Sequence, residues 1–349
     1  MREVEVQRRL LEIPTPAVFG MSGGRTSAFQ VAMLMEATGG NPGTNRVIAF
    51  MNTGDEDERS LAFIDRCDRE WGLGVVWLEY RHEPFPAWLL GDAEFQELRR
   101  RQFANRGDKG LRQEVAERIA AAGFSEQAAS ILAGRECLNG RDTYSIVDFA
   151  TASRNREPYQ AMLESREAYR MAVKGLRGAL PCPSQRLCTG QLKMNVAKRY
   201  MADRFGVDRR GYHVALALRS DERDGRADQA RTADEAGVPC LPLDDAGIVA
   251  ADIEAFWQRQ PFQLGMKSYE GNCRACFMKK RHALEVIVRK DPTTADFYAG
   301  WEARTGDRFR RDRPGYAAMQ WQARNQPLLF EEPDDYETVI TCEGGYCSD

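Results

Sequence analysis

Residues 18–27 read Val18-Phe19-Gly20-Met21-Ser22-Gly23-Gly24-Arg25-Thr26-Ser27, and a helical pattern follows from Ala28. This order predicts a buried strand, a tight loop and the start of a helix. Glycine lets the backbone approach a ligand closely. The free N–H groups and the positive dipole end of a helix N-terminus bind anions. Further donors come from the side chains of Ser22, Arg25, Thr26 and Ser27. The segment therefore predicts a site for phosphate or pyrophosphate.

Three other interpretations of this loop require different sequence features. A strand-to-helix turn that binds nothing can also contain glycines. A Walker A loop needs a lysine in G-x-x-x-x-G-K-S/T, and this loop has none. Gly20-Met21-Ser22-Gly23-Gly24 fits the G-x-S-x-G nucleophile elbow. The short stretch before it leaves no room for oxyanion-hole elements, and the histidines that could complete a triad are His82, His213 and His282.

The composition is that of a globular protein with a slightly acidic charge. The 349 residues carry a formal net charge of −3, so nucleic-acid binding would require a local basic patch. No apolar run has the length of a membrane span, and residues 1–12 lack the apolar core of a signal peptide. We therefore expect a cytoplasmic protein that does not enter the membrane, built as two domains or one large domain with additions. The sequence does not indicate an oligomeric state.

Strand and helix patterns alternate after the loop. Near-continuous apolar runs at 46–51 and 74–80 indicate buried strands, and a helical pattern lies between them at 57–71. Such alternation predicts an α/β fold with a doubly wound, Rossmann-like parallel sheet. Ligands of these sheets bind at the carboxyl ends of the strands, and Asn52-Thr53-Gly54 follows the second strand. We therefore expect this turn and the Ser22–Ser27 loop to line one pocket.

The alternation breaks once and then resumes. We predict the first part of the α/β domain at 1–82, a charged helical insertion at 83–180, the second part of the domain at 181–248, and a C-terminal helical region at 249–349. The second part is expected to contain helices at 192–204 and 226–236, a strand at 213–218 and an edge strand at 238–243. The C-terminal region is expected to contain helices near 252–257, 278–290 and 293–304, then a basic segment at 308–314 and a polar acidic tail. The run Leu98-Arg99-Arg100-Arg101 is interpreted as a solvated helix face.

The cysteines are the second chemical signal. The chain has nine, which is many for a reducing compartment where disulfides are rare. Cys182 and Cys188 are six residues apart, Cys273 and Cys276 form a C-x-x-C, and Cys342 and Cys347 lie near the C-terminus. This grouping predicts tetrahedral sulfur ligation of zinc or of an iron–sulfur cluster, with unligated thiols as the alternative. Buried thiols are expected at Cys67, Cys137 and Cys240.

Five motifs in chain order resemble those of the PP-loop ATP pyrophosphatases, in particular the phosphoadenosine phosphosulfate (PAPS) reductase branch. The Ser22–Ser27 loop matches S-G-G-x-x-S, and Asn52-Thr53-Gly54 resembles the second nucleotide-binding turn. Three further motifs are Cys188-Thr189-Gly190-Gln191-Leu192-Lys193, Arg219-Ser220-Asp221-Glu222 and Glu270-Gly271-Asn272-Cys273-Arg274-Ala275-Cys276-Phe277. The last is similar to a segment of a bacterial and phage-borne group related to DNA phosphorothioation proteins. The resemblance implies an adenine nucleotide alpha hydrolase-like fold.

The resemblance also implies a reaction and roles for individual residues. A substrate oxygen would attack the α-phosphate of ATP, giving an adenylated intermediate and pyrophosphate. Nucleotide would be held by Ser22, Gly23, Gly24, Arg25, Thr26 and Ser27 and by Asn52, Thr53 and Gly54. Arg25 counters the phosphate charge, and Lys193 and Arg219 lie near the phosphate or sulfate end, although a surface ion pair with Asp221 or Glu222 is the alternative. Mg²⁺ would bridge the phosphates, with Asp55 as its protein ligand.

For the cysteines, the resemblance implies a 4Fe–4S cluster rather than Zn²⁺. Its ligands would be Cys182, Cys188, Cys273 and Cys276, with Cys342 or Cys347 able to replace one of them. The expected activity is sulfur transfer, with nucleic acid as a candidate acceptor because basic residues cluster at 99–112 and 279–313, and with a donor such as a cysteine desulfurase.

One departure from the family pattern bears on the reaction. Assimilatory PAPS reductases end in E-C-G-x-H, whereas residues 341–349 contain no histidine. Two rivals to the sulfur-transfer hypothesis follow from the same motifs. One is a thiol-dependent reductase of PAPS or adenosine phosphosulfate, which this ending disfavours. The other is a nucleotide- or nucleic-acid-binding module without turnover.

Overall fold

The computed structural model describes residues 2–134, 140–174, 180–222, 225–232, 237–271 and 273–326. Within them, strands form one six-stranded sheet in the order β4-β3-β2-β1-β5-β6. The strands are β1 (Ala17–Gly20), β2 (Arg46–Asn52), β3 (Val76–Glu83), β4 (Arg141–Val147), β5 (His213–Ala215) and β6 (Val238–Cys240). The pairs β1–β2, β1–β5, β2–β3 and β5–β6 are all parallel. The prediction of an α/β fold with a mostly parallel sheet is thus confirmed.

Helices flank the sheet. In the described part of the chain they are α1 (Arg2–Glu12), α2 (Arg25–Ala37), α3 (Glu58–Trp71), α4 (Ala87–Leu90), α5 (Ala93–Ala104), α6 (Lys109–Ala121), α7 (Glu126–Ala133), α8 (Glu157–Lys174), α9 (Asn195–Phe205), α10 (Arg226–Arg231), α11 (Pro242–Asp245), α12 (Ala250–Gln258), α13 (Arg281–Lys290), α14 (Asp296–Thr305) and α15 (Tyr316–Asn325). A π-helical turn, Thr189–Met194, leads directly into α9. No described helix has both the length and the apolar character that crossing a bilayer requires.

The chain divides into two compact units. We call Met1–Tyr80, Tyr144–Gln160 and Leu180–Asp349 the sheet unit, and Arg81–Thr143 with Ala161–Ala179 the helical unit. In the sheet unit, Phe29 of α2 packs edge-to-face on Phe256 of α12 with ring centroids 5.1 Å apart. Such aromatic pairs add about 0.5–1.5 kcal/mol to the free energy gained by burial. This packing fixes the start of α2, where the predicted anion loop lies.

The helical unit has an apolar core of its own. Phe85 stacks on Phe95 with ring centroids 6.1 Å apart, and Val115 and Ile119 are fully buried beside them. The interpretation of the arginine run as a solvated face is wrong for Arg99, whose side chain is buried, whereas Arg100 and Arg101 are exposed. Arg99 Nη1 donates to the carbonyl oxygen of Ala133 at 3.1 Å. The Arg99 guanidinium thus donates to a carbonyl oxygen at the end of α7 that has no partner within the helix. The sequence around Arg99 does not show that this carbonyl requires a donor.

Several elements differ from the sequence predictions, and one of them is β5, which ends at Ala215 and not at residue 218. Strand β4 lies inside the range expected to be helical, and residues 144–160 of that range belong to the sheet unit. Strand β6 ends at Cys240, because Pro242 begins α11 at a position that favours helix initiation. Helix α15 replaces the start of the predicted polar tail, and its Tyr316 is buried.

Candidate active site

The Ser22–Ser27 loop has the geometry of an anion site. Gly23 has a φ of +82°, and Gly24 caps α2 without a side-chain hydrogen bond. Ser22 N donates to Ser27 Oγ at 3.0 Å, and Ser27 Oγ donates to the Gly24 carbonyl oxygen at 3.1 Å. The hydroxyls thus hold the loop closed around the start of α2. The first N–H groups of the helix are left to a ligand, where the dipole favours negative charge.

A cavity opens beside this loop, lined by residues of β1, β2 and β5 and of the π-helical turn before α9. β1 and β5 flank the point where the strand order reverses, and such switch points are ligand sites in open α/β sheets. The cavity has a volume of about 160 Å³, far above the roughly 10–15 Å³ that one water molecule needs. Its walls are mainly apolar and include Met21, Phe50, Met51, Val214 and Pro239, while Ser22, Thr189 and Lys193 supply polar groups. An apolar cavity next to an anion site suits a ring system that carries phosphates.

Two arginines lie at the loop. Arg219 is 7% exposed, and its Nη1 donates to Thr26 Oγ1 at 3.1 Å while its Nε donates to Asp221 Oδ1 at 2.9 Å. The structure therefore brings the predicted Arg219 onto the loop and also shows the ion pair that was its alternative. The Arg25 side chain is 41% exposed and pairs with Glu254 at 2.6 Å.

The Asn52-Thr53-Gly54 turn is a buried scaffold at the end of β2. Asn52 Nδ2 donates to Glu79 Oε1 at 2.6 Å, and Asn52 Oδ1 accepts from Gly54 N at 3.1 Å. Gly54 has a φ of +77°, and a Cβ there would come within 3.0 Å of the Arg156 backbone. Glycine is therefore required at this position. The turn lies one strand away from the Ser22–Ser27 loop, at the same edge of the sheet.

Asp55 has protein partners for both carboxylate oxygens. One oxygen accepts from Arg156 Nε, and the other accepts from the Tyr298 hydroxyl at 2.6 Å. The side chain has no exposed surface. Its partners give Asp55 a structural role, and its assignment as a Mg²⁺ ligand stays a prediction.

Glu56 is a buried carboxyl group that the sequence analysis did not single out. Its oxygens accept from Thr53 N at 3.0 Å and from Thr53 Oγ1 at 2.8 Å. Burial raises the pKa of Glu56, and the nearby Lys193 ammonium opposes that rise. The run Gly54-Asp55-Glu56-Asp57 contains three carboxylates. The sequence alone does not indicate which of them lies near Lys193.

The structure places Cys273 beside the Asn52-Thr53-Gly54 turn. Cys273 pairs with Glu56 in an isolated antiparallel bridge, and its Sγ is 3.7 Å from Thr53 Oγ1. Cys276 N donates to the Cys273 carbonyl oxygen at 3.4 Å, so the C-x-x-C forms a turn. Burial, and then the charges of Cys188, Cys276, Cys273 and Asp55, raise the pKa of the Tyr159 phenol well above its ordinary value. Burial, and then the charge of Glu56, raise the pKa of the Cys273 thiol well above 9.

The fourth predicted ligand, Cys182, lies on the loop before Cys188. Its Sγ is 3.3 Å from Ser184 Oγ. The alternatives Cys342 and Cys347, and Cys137, lie outside the described residues. Within the described ranges, no group of three or more His, Cys, Asp or Glu side chains is arranged to hold a metal ion. The Tyr159 hydroxyl is a buried polar atom without a hydrogen-bond partner in these ranges.

Aromatic side chains surround these cysteines and were missed from the sequence. The rings of Tyr298 and Tyr316 stack with centroids 4.6 Å apart, and the Tyr316 hydroxyl donates to the Ala275 carbonyl oxygen at 2.7 Å. Tyr159 packs on Phe297 at 5.3 Å. They come from α8, α14 and α15, which are distant in sequence, so no spacing pattern reveals them. They exclude water from the side of the C-x-x-C that faces these helices.

Comparisons with protein-family models, with characterised proteins and with solved structures gave no significant match to this chain.

Proposed function

We propose that this chain is a PP-loop enzyme with an adenine nucleotide alpha hydrolase-like fold, which binds ATP, adenylates a substrate with release of pyrophosphate and takes part in sulfur transfer. The observation that supports the proposal is the juxtaposition of the Ser22–Ser27 loop, at the N-terminus of α2, with the mainly apolar cavity beside it. A nucleotide needs both an anion site and an apolar site for its base, and it needs them side by side.

The proposed reaction is an in-line displacement at phosphorus. A substrate oxygen forms a bond to the α-phosphorus, the bond from that phosphorus to the bridging oxygen breaks, and pyrophosphate leaves with the electron pair. The leaving group gains negative charge, so donors aimed at it lower the barrier. The N-terminus of α2 and the Arg219 guanidinium, which donates to Thr26, would supply that stabilisation. Lys193 lines the cavity and would act on the phosphate next to the substrate.

Most of the oxygen ligands of Mg²⁺ would come from the substrate. Mg²⁺ is commonly held by one or two carboxylates together with phosphate oxygens and water. Asp55 already accepts two hydrogen bonds. We therefore propose that phosphate oxygens provide most of the Mg²⁺ ligands. Asp55 would coordinate the ion only if one of its two hydrogen bonds broke.

For the sulfur chemistry, Cys188, Cys273 and Cys276, with Cys182 from the adjoining loop, would hold a 4Fe–4S cluster, which supplies electron transfer or sulfur binding when present. Zn²⁺ is the alternative occupant. The sulfur acceptor would be the adenylated substrate, with nucleic acid as a candidate, and the donor would be a protein such as a cysteine desulfurase. The Lys193 ammonium opposes the rise in the pKa of both Glu56 and the Cys273 thiol, and Lys193 also lines the cavity.

The test is ATP binding and pyrophosphate release by wild-type protein and by Gly23→Ala. Alanine at a φ of +82° costs about 1–2 kcal/mol, and its Cβ would lie 3.2 Å from Ser60 Cβ. The loop must therefore shift, and we expect at least a tenfold loss of ATP affinity. Gly40→Ala is the matched control, because Gly40 has a φ of +84° and no atom within 4 Å of an added Cβ.

The outcomes separate the rival functions. Wild-type protein that neither binds nor cleaves ATP, with or without nucleic acid, would refute the proposal. Tight binding without pyrophosphate release would instead favour a nucleotide-binding module. Release of sulfite from PAPS in the presence of a thiol reductant would favour the reductase.

A further inference from the structure

Arg156 holds a backbone conformation that residues with a Cβ disfavour. It directly precedes α8 and has a φ of +66°, and within the described ranges it is the only non-glycine residue with a positive φ. The left-handed region is costly for such a residue. Strain of this kind persists only where the surrounding contacts enforce it, and it is concentrated at functional sites.

The contacts that enforce it connect the turn after β2 with the start of α14. The Arg156 N–H donates to the Gly54 carbonyl oxygen at 3.0 Å, and its Nε donates to the buried Asp55 carboxylate. Its Nη2 donates to the Thr294 carbonyl oxygen at 2.9 Å, and its guanidinium lies 5.4 Å from the centroid of the Phe297 ring. The side chain is only 11% exposed. Arg156 is therefore fixed on several sides, and it fixes the turn in return.

A second connection to the same turn lies three residues earlier. The Ser153 carbonyl oxygen accepts from Asn52 Nδ2 at 2.9 Å. The Glu79 carboxylate accepts from Ser153 N at 2.6 Å and from Ser153 Oγ at 2.8 Å. Residues 153–156 thus hold both ends of the turn that runs from Asn52 to Asp55.

The backbone donors of this turn already have protein acceptors. Thr53 N donates to the Glu56 carboxylate at 3.0 Å. Gly54 N donates to Asn52 Oδ1 at 3.1 Å, as described above. Asp55 N donates to Thr53 Oγ1 at 3.3 Å. The turn can therefore serve a ligand through the positions that it gives to its neighbours.

Those neighbours belong to the candidate nucleotide site. Met51, directly before the turn, lines the cavity. Helix α3, which follows the turn, packs on the anion loop, because a Cβ on Gly23 would lie 3.2 Å from Ser60 Cβ and 3.4 Å from Ile64 Cδ1. A shift of the turn would therefore move a wall of the cavity and the helix on which the loop rests.

We propose that Arg156 is a positioning residue for nucleotide binding. Its hydrogen bonds to Gly54 and Asp55 hold the turn, and the turn sets the positions of Met51 and α3 around a bound nucleotide. Arg156 acts through these residues and does not touch the nucleotide itself. This inference rests on the nucleotide part of the proposed function and is independent of the sulfur part.

The test compares ATP affinity, measured by calorimetric titration, in wild-type protein, Arg156→Gln and Arg156→Lys. Glutamine keeps an unbranched side chain and removes the charge that faces Asp55. We expect this variant to bind ATP about tenfold more weakly, because small displacements of binding groups are costly. Lysine keeps the charge but not the planar fork of donors, so its loss of affinity is expected to be smaller.

Hydrogen exchange in the absence of ATP gives a second readout. We expect peptides from 52–64 to exchange faster in Arg156→Gln than in wild-type protein, because the turn and the start of α3 open more readily.

Arg99→Gln is the matched control. Arg99 is also a buried arginine that donates to a backbone carbonyl oxygen, that of Ala133, and it lies in the helical unit. We expect this variant to be less stable in denaturant while its ATP affinity and its exchange in 52–64 stay as in wild-type protein. A purely structural role for Arg156 predicts the same pattern for Arg156→Gln.

A double variant, Asp55→Asn with Arg156→Gln, covers the case in which the single variant does not fold. Removing one partner of a buried ion pair is strongly destabilising, whereas removing both is often tolerated. The neutral pair lacks the charge-assisted hydrogen bond that holds the turn. We therefore expect the double variant to fold and to bind ATP more weakly than wild-type protein.

Wild-type ATP affinity in folded Arg156→Gln, or in the double variant, would overturn the positioning role of Arg156 and leave ATP binding standing. Wild-type protein that binds no ATP would overturn the proposed function and this inference together.

Discussion

Arg25 and Arg219 both lie at the anion loop, but they differ in what they can give a bound phosphate. Arg25 is 41% exposed and paired with Glu254. Solvent and the Glu254 carboxylate therefore weaken the electrostatic attraction between Arg25 and a bound phosphate. Arg219 is buried and already directed at Thr26 within the loop. Charges act more strongly where water is excluded, and a guanidinium held by Asp221 loses little entropy when a ligand binds.

We therefore predict that Arg219→Gln weakens ATP binding more than Arg25→Gln. Loss of a charge-assisted hydrogen bond costs about 1.5–3 kcal/mol, which is roughly a tenfold to hundredfold rise in Kd. For Arg25→Gln, which removes an exposed charge, we expect a loss of less than about 1 kcal/mol in the free energy of ATP binding. Calorimetric titration with ATP measures both, and Arg231→Gln is the control because Arg231 is an exposed arginine paired with Asp244 and Asp245. A larger effect of Arg25→Gln would show that phosphate lies on the Glu254 side of the loop.

At the scale of elements, α3 begins directly after the turn that forms the second part of the site. Asp57 is its N-cap and accepts from Arg59 N at 2.9 Å and from Arg59 Nε at 2.9 Å. Partial burial opposes ionisation, yet the hydrogen bonds from Arg59 leave the pKa of Asp57 below its ordinary value of 3.8. The cap thus fixes the chain just after Thr53 and Glu56.

We predict that Asp57→Ala destabilises the protein by about 1 kcal/mol at pH 7, the usual cost of losing an N-cap. A lowered folded-state pKa contributes stability above the unfolded pKa and loses it as pH falls through the folded value. The gap between wild-type protein and Asp57→Ala should therefore shrink below about pH 4. Denaturant unfolding at a series of pH values measures this gap. Asp57→Asn keeps a capping oxygen, so it should cost less at pH 7. A gap independent of pH would refute the ionised cap.

The elements that the sequence predicted well are those with a strong local pattern. β2 was evident because Val47, Ile48 and Phe50 lie within one apolar run, and all three are buried. The helix predicted at 57–71 corresponds to α3, which ends at Trp71. β4 was missed because it reads Arg-Asp-Thr-Tyr-Ser-Ile-Val and is only partly covered. The same holds for the site. Glycines and hydroxyls identified the anion loop locally, whereas Tyr159 and Glu56 matter through neighbours that only the tertiary fold supplies.

At the scale of the whole molecule, charge does not by itself provide a nucleic-acid surface. In the basic segment 308–314, Arg310 pairs with Asp312 at 2.5 Å and Arg311 with Asp307 at 3.0 Å. Arg313 is buried and donates to the Lys279 carbonyl oxygen at 2.9 Å. Internal acids thus neutralise much of the charge that phosphates would otherwise attract. A nucleic-acid partner stays a prediction, and these pairs would have to open for the segment to contribute.

The two compact units lead to a prediction about where ATP acts. Both the loop and the cavity lie in the sheet unit, and the helical unit has its own core around Phe95 and Ile119. Units with separate cores open separately, and a ligand stabilises only the unit that binds it. At an ATP concentration of 100 times Kd, the free energy of unfolding of the sheet unit rises by about 2.7 kcal/mol. Amides that exchange only when the whole unit opens would then exchange roughly a hundredfold more slowly.

Hydrogen exchange with mass spectrometry, with and without saturating ATP, measures this effect by segment. We expect slower exchange in peptides from 18–37 and 195–219, with little change in peptides from 93–133, which serve as the internal control. Gly23→Ala at the same ATP concentration should abolish most of the protection, because its distorted loop no longer presents the start of α2 to the phosphates. Equal protection of both units would mean that they unfold as one body, and protection confined to 93–133 would locate ATP outside the sheet unit.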